Sequence, residues 1–279
     1  MPAPTLIDIG INLVHDSYDH DRAEVIAAAK AAGVTRMIVT GSSLEVSRRA
    51  IALSRQWPGT LWCTAGVHPH HAGEFDEAGV PVLEALAREP EVVAVGECGL
   101  DYFRSQDPAM KQKQESLFRE HIRLAQEVGK PLMIHARPSK GSMDAYEEVL
   151  NILESISEAP KANFHFFVGD IAIAKRILAL GGTMSFDGPI TFTNEYDSVI
   201  AALPLSAMMA ETDAPFAAPE PYRSANKTVR TDGKTMPALC EPWMVKEVVT
   251  RIALLKNADL ETVRLAMIEN AKQFFKILL

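Results

Sequence analysis

The chain has 279 residues, 47% of them hydrophobic and 23% charged, with a formal net charge of −8. This is an ordinary composition for a soluble globular protein with a sizeable core. The acidic balance argues against coating duplex DNA by bulk charge, but not against holding one strand end in a local pocket.

The first apolar run, LIDIGINL (6–13), reads as a strand. Simple alternation sends Ile7, Ile9 and Ile11 outward under helices and Asp8, Gly10 and Asn12 inward. AEVIAAAKAAG follows as an alanine-rich helix stopped by Gly33. TRMIVTG is a second strand, and SLEVSRRAIALSRQW a helix opened by a capping serine. The alternation continues through TLWCTAGVHP and VPVLEALAREP, then EVVAVGECGLD and KQKQESLFREHIRLAQEVG. KPLMIHAR precedes SMDAYEEVLNILESI, KANFHFFVG precedes DIAIAKRILALG, and GTMSFDG precedes a short helix near EYDSVIAAL. SAMMAETDAP is the eighth strand, and helical segments at about 237–256 and 259–277 end the chain.

Eight strand–helix units without hairpin signals predict an α/β fold with a parallel sheet. Eight units favour closure into a (β/α)8 TIM barrel over an open doubly wound sheet. No linker rich in Pro, Gly or Ser divides the chain, so residues 1–279 are expected to form a single domain. The longest irregular piece is 214–236, a length that usually signals function or mobility. Cys63, Cys98 and Cys240 are widely spaced without a CxxC pair, which argues against a disulfide framework or a zinc ribbon. The start lacks a signal-peptide pattern, and no run approaches about 20 apolar residues. A cytoplasmic protein is expected, with no membrane partner and no protein partner indicated.

In such a barrel the reactive groups gather at the carboxyl ends of the strands. Those ends carry Asn12, His68, Glu97, His135, His165 and Asp213. Alternation points them inward: Glu97 shares a face with Val93 and Val95, His135 with Met133 and Arg137, His165 with Asn163, and Asp213 with Glu211 and Met209. Two imidazoles and two carboxylates converging on one mouth suit a divalent metal such as Zn²⁺, Mn²⁺ or Fe²⁺. Such an ion can bring the pKa of a bound water to about 7. Taken singly, each residue has a plainer reading: a strand-end histidine is usually structural, and Asp101 and Asp170 are placed to cap the following helices. Four such residues on four strands favour the metal.

GVHPH (66–70), VGECGLDY (95–102), IHAR (134–137), HFFVG (165–169) and ETDAPF (211–216) occur in that order. Together they resemble the TatD family of metal-dependent hydrolases, best known as deoxyribonucleases, over essentially the whole chain. The resemblance implies a distorted barrel of the amidohydrolase-like type. It further implies that Glu97 can bridge two metals, that His135 and His165 complete one site, and that Asp213 belongs to the other and helps to orient or deprotonate the attacking water. Many members complete that other site with a His-x-His pair on the first strand, where this chain has Gly10 and Asn12. Glycine offers no ligand and an amide oxygen is a weak one. The expectation is therefore one well-held ion and a second, facultative one on Glu97, Asp213 and, weakly, Asn12, suited to Mg²⁺ or Mn²⁺, with Zn²⁺ a candidate for the first.

Around this centre His68 reads as a phosphate or water contact or as a structural residue, and His70 in the same two ways. Arg137 is placed either to fork onto a phosphate or to form an internal salt bridge. The segment YRSANKTVRTDGK (222–234) holds four basic residues, and Tyr222 and Arg223 could grip a strand there unless the segment is simply solvated. The insertion at 217–236 departs from the family pattern. His71 reads as solvent-facing, and His15, His20 and His121 as surface residues. The reading favoured is a phosphodiesterase, a 3′-to-5′ deoxyribonuclease on single-stranded DNA ends with Glu97 and Asp213 catalytic. An esterase, lactonase or amidase on a small substrate, and a non-catalytic binding scaffold, remain open.

Overall fold

Strands β1 (Leu6–Ile11), β2 (Val34–Val39), β3 (Leu61–Ala65) and β4 (Val92–Asp101) are buried almost throughout. Continuous burial is what a parallel strand experiences when side chains fill one face and helices cover the other. Strands β5 (Leu132–Arg137), β6 (Ala162–His165), β7 (Thr183–Phe186) and β8 (Met208–Ala210) complete a parallel sheet in sequence order. Between them run α1 (Arg22–Ala31), α2 (Leu44–Gln56), α3 (Val80–Ala87), α4 (Pro108–Val128), α5 (Asp144–Glu154), α6 (Ile171–Ala179) and α7 (Asp197–Ala202). The computed structural model describes residues 6–225, 228–229, 235–236 and 239–277. Beyond β8 lie a short helix α8 (Tyr222–Ala225), an antiparallel pair β9 (Thr228–Val229) and β10 (Thr235–Met236), and the helices α9 (Val245–Lys256) and α10 (Leu260–Phe275). The expected helix at 237–256 thus begins only at Val245. None of the described helices is long and apolar enough to cross a membrane.

The punctuation expected from the sequence is present. The Ser43 hydroxyl accepts from Val46 N–H at the start of α2, and Asp170 accepts from Ile173 N–H at the start of α6. Asp101 caps no helix; it accepts from Arg104 N–H in the turn and turns its other oxygen to the mouth. The ring closes at the mouth through backbone bonds just past β8, with Asp213 N–H donating to Gly10 O at 2.9 Å and Asn12 N–H to Ala214 O at 2.8 Å.

Inside the barrel, Ile7, Ile9, Ile38, Val93, Met133 and Met209 form an apolar cluster with Ile268, Phe274 and Phe275 of α10. That helix plugs the end opposite the mouth. Ile7 and Ile9 therefore face inward, against the expectation from alternation, and Asp8 turns to Thr212, whose hydroxyl donates to it at 2.6 Å. The register of β1 against β2 shifts between Asp8 and Ile11. A bulge of this kind changes which face successive residues take, so Gly10 and Asn12 still reach the mouth and Ile11 still packs outward. Strand β4 shifts likewise between Val95 and Cys98, and Val95 belongs to the outer core rather than to the face of Glu97.

His121 corrects another expectation. It is wholly buried on α4, where Nε2 accepts from Val67 N–H at 3.0 Å and Nδ1 donates to Leu117 O at 2.8 Å. The imidazole ties α4 to the loop that carries His68. Burial pushes its pKa down from 6.5 to about 4, opposed by the Leu117 carbonyl. Between these values the unfolded chain binds a proton that the folded chain refuses, so stability is full above pH 6.5 and falls as pH drops through the window. Denaturant titrations of the whole protein should show a His121 contribution of about 2 kcal/mol lost between pH 7 and pH 5. The loss should be smaller by that amount in His121→Gln; an identical pH dependence in both proteins would refute the assignment.

Candidate metal centre

The carboxyl ends of the strands surround a cavity of about 1300 Å³ whose wall includes Asn12, His68, His70, Glu97, His135, Arg137, His165 and Asp213. Glu97 arrives there because Gly96, at φ +149°, lets β4 press onto β5; a Cβ on it would lie 2.4 Å from Met133 O. Glu97 Oε1 lies 3.0 Å from His135 Nδ1 and 3.5 Å from His68 Nε2. His165 Nε2 lies 3.9 Å from Asp213 Oδ1, which accepts from Asn12 Nδ2 at 2.9 Å.

The outer nitrogen of each candidate imidazole ligand is held by a carboxylate. His135 Nε2 lies 3.2 Å from Asp101 Oδ2, and His165 Nδ1 lies 2.6 Å from Glu211 Oε2. Glu211 Oε1 accepts in addition from Phe166 N–H at 2.6 Å. Carboxylates so placed fix the tautomer and ring plane of a metal-binding histidine and raise its basicity. Asp101 and Glu211 are the functional residues that the sequence reading misses. The only signal for Glu211 is that it shares a strand face with Asp213, and for Asp101 that it ends the GECGLD run.

Position 10 lies directly beneath the Glu211 carboxylate. A Cβ on Gly10 would lie 2.5 Å from Glu211 Oε2 and 3.0 Å from the His165 ring. The Glu211 carboxylate occupies the space that a side chain would need. Asn12 keeps its carbonyl oxygen available, because its amide N–H₂ is engaged by Asp213.

The electrostatics favour positive charge. Burial works against the imidazolium at both His135 and His165, yet Asp101 and Glu97 raise the first and Glu211, Glu97 and Asp213 raise the second. Glu97 would be raised by burial but is held below the usual carboxylate range by His68, His135 and His165. Asp213 is pushed up to about 7 by burial and by Glu97 and Glu211, against the pull of His165. The donor set therefore fits a divalent cation. Among the described residues the group whose ligand atoms all lie within 4.8 Å of one another is His68, Asp101 and His135; Glu97, His165 and Asp213 line the same cavity.

His68 is neutral, pushed down to about 3 by burial. Its Nδ1 accepts from His70 N–H at 3.1 Å, so the ring proton sits on Nε2 and points toward Glu97. His68 is thus a hydrogen-bond donor to the centre in this arrangement rather than a lone-pair ligand. His70 accepts from Arg104 at 2.7 Å, and Arg104 also reaches Asp101 Oδ2 at 3.3 Å. Arg137 stacks over the Phe103 ring at 4.2 Å, and among the described residues no carboxylate pairs with it. The internal salt bridge weighed from the sequence is therefore not formed.

Tyr222 and Arg223 are not brought to this mouth. The Tyr222 ring packs on Trp243 and its hydroxyl donates to Glu247, while Arg223 stacks on Phe192. The other basic residues of that segment, Lys227, Arg230 and Lys234, lie outside the described residues. His15 and His20 are exposed, as expected, and His71 pairs with Glu74 at the surface.

Replacing a carboxylate behind a ligating histidine typically weakens metal binding roughly 10- to 100-fold. Asp101→Asn and Glu211→Gln should each do so in competition titrations against a chromogenic chelator, with the thermal transition retained. Gly10→Ala should act in the same direction by displacing the Glu211 carboxylate. Unchanged retention in Asp101→Asn and Glu211→Gln would show that these carboxylates do not serve the ion.

The sequence model of the TatD-related DNases matches residues 7–276. The chain is 36% identical to the 3′-5′ ssDNA/RNA exonuclease TatD of Cronobacter turicensis, over 97% of both chains. It is 34% identical to the uncharacterised metal-dependent hydrolase YabD of Bacillus subtilis, over 98% of this chain and 99% of that one. The crystal structure of the TatD homologue YjjV from Escherichia coli superposes with a TM-score of 0.86 at 25% identity, covering 99% of both chains. With its eight-stranded barrel and its carboxylate–imidazole mouth, the chain belongs to the family of TatD-related DNases.

Proposed function

We propose that this protein is a metal-dependent phosphodiesterase that removes nucleotides from the 3′ end of single-stranded nucleic acid. The observation that carries the reading is that Glu97, His135 and His165 line one cavity, with a carboxylate on the far nitrogen of both imidazoles, beside an arginine that has no carboxylate partner among the described residues. The exonuclease name of the Cronobacter relative supports the substrate class.

Glu97, His135 and His165 would hold the ion. A divalent cation there supplies Lewis acidity, acidifying water to near neutrality and offsetting charge on a phosphoryl oxygen. Asp213, raised to about 7, is poised to take a proton from the attacking water near neutral pH, with Asn12 holding one of its oxygens in place. His68 Nε2–H donates to a phosphoryl or leaving oxygen on the Glu97 side. The Arg137 guanidinium, held flat by Phe103, receives a phosphate through two parallel donors. A second ion would be facultative, with only Glu97, Asp213 and the Asn12 carbonyl oxygen to hold it, because Gly10 offers no side-chain ligand. The free, buried state of Cys63, Cys98 and Cys240 supports a reducing, cytoplasmic setting.

Incubation of 5′-labelled single-stranded DNA with Mg²⁺, Mn²⁺ or Zn²⁺ should give stepwise shortening from the 3′ end that stops with chelator. Glu97→Gln should slow it by on the order of 100-fold or more while the protein remains folded. Turnover of small esters or lactones without cleavage of DNA or RNA would overturn the proposal in favour of an amidohydrolase-type activity, and neither activity would leave a binding scaffold. Elemental analysis of protein purified without added metal should find one retained ion per chain; two would refute the facultative second site.

A further inference from the structure

The wall of the mouth has two unlike flanks. On the side of β4 and β5 it presents Arg104, Arg137 and Lys140, with Glu147 as the opposing carboxylate. Over the consecutive strands β6, β7 and β8 it presents Phe166, Tyr196 and Phe216, with Asp170 and Glu195 beside them. Phe166, Tyr196 and Phe216 come from three successive loops; Tyr196 also packs against the outer core, whereas Phe216 is 49% exposed. Phe216 and His15 meet in a T-shaped contact, with ring centres 5.3 Å apart at 81°. Phe103 is as exposed on the other flank, but Arg137 lies across its face.

Phe166 adds a second, independent sign. It follows His165 directly and adopts φ +49°. A bulky residue in the left-handed region is strained and persists only where the surroundings impose it. Here its N–H is clamped by Glu211 Oε1, so the ring is set at the edge of the metal centre by the same carboxylate that orients His165.

We infer that the β6–β8 flank is a nucleobase subsite. The base of the terminal nucleotide stacks on Phe216, bounded by Phe166 and Tyr196, while the phosphates run along Arg104, Arg137 and Lys140. Stacking on an aromatic ring tolerates any base, since every base has a π-face. The acidic residues on the aromatic flank repel phosphates and so fix which side of the strand faces which wall. The inference rests on the nuclease reading and adds to it that the end is held by its base as well as by its backbone.

The test separates the two claims by measuring binding apart from cleavage. Fluorescence anisotropy of the full-length protein in chelator compares a short single-stranded DNA with the same strand abasic at its 3′-terminal nucleotide. Stacking of one base corresponds to roughly 5- to 150-fold in affinity. The intact strand should bind more tightly by a factor in that range. Phe216→Ala should abolish the difference, Phe216→Trp should keep it, and Phe166→Leu should narrow it. Equal binding of the two strands to the unaltered protein, no binding of either, or undiminished discrimination in Phe216→Ala would overturn the subsite. Failure of the metal-loaded protein to cut DNA or RNA would instead overturn the nuclease reading, whatever the binding difference.

Discussion

The Glu211 carboxylate is the contact on which the rest of the centre depends. It is fully buried, one oxygen on His165 and the other on the Phe166 amide, with its Oε2 lying over Gly10. Through these contacts it joins β8, β6 and β1 at the mouth. A side chain at position 10 would meet this carboxylate and have to displace it. One buried group thus sets the orientation of His165, the backbone of the residue after it, and the space left at Gly10.

A buried carboxylate without a partner is costly, and this mouth gathers several. Glu97 and Asp101 lie beside imidazoles that hold them ionised, whereas Asp213 is pushed up to about 7. Asp187, just past β7, is driven well above the usual carboxylate range by burial and by Glu211 and Asp213, and its Oδ2 has no hydrogen-bond partner among the described residues. Glu97 and Asp101 beside His135 are thus held charged, whereas Asp213 and Asp187 are biased toward the neutral form. A divalent cation relieves this repulsion at its source, so the negative field that strains the protein is also what attracts the ion. The site is in this sense a compromise between folding and binding, as electrostatically preorganised centres are.

Much of this was legible in the sequence. All eight strand–helix units were readable from apolar runs and their stop signals, because continuous burial on parallel strands leaves a strong pattern. The strand-end set of Glu97, His135, His165 and Asp213 was readable because the fold sends every such end to one mouth. What failed was residue-level aim. Alternation misplaced Ile7, Ile9 and Asp8, since register shifts reset the period and leave no mark in composition. His121 read as surface because a single imidazole amid apolar helix positions carries no sign of its two hydrogen bonds. Asp101 resembled a cap, and only its distance to His135 reveals its other oxygen's role. Tyr222 and Arg223 were plausible by charge and ring chemistry, but nothing local says that Trp243, Glu247 and Phe192 engage them instead.

The irregularities that defeat alternation lie where the chemistry sits. Strand β1 shifts register just before Asn12, and β4 shifts across Glu97. Phe166 and Asp213 take left-handed backbone immediately after β6 and just beyond β8. The apolar end of the barrel, sealed by α10, has one such step where β1 begins, between Leu6 and Ile7, and is otherwise filled by ordinary apolar packing. A regular strand can deliver a side chain only at two-residue intervals on one face. Keeping Ile9 in the inner cluster while Gly10 and Asn12 also reach the mouth needs an extra step in the backbone, and the bulge supplies it. The mouth is accordingly built by breaking the rule that builds the core, and the residues hardest to place from sequence are those that the site most needs to aim.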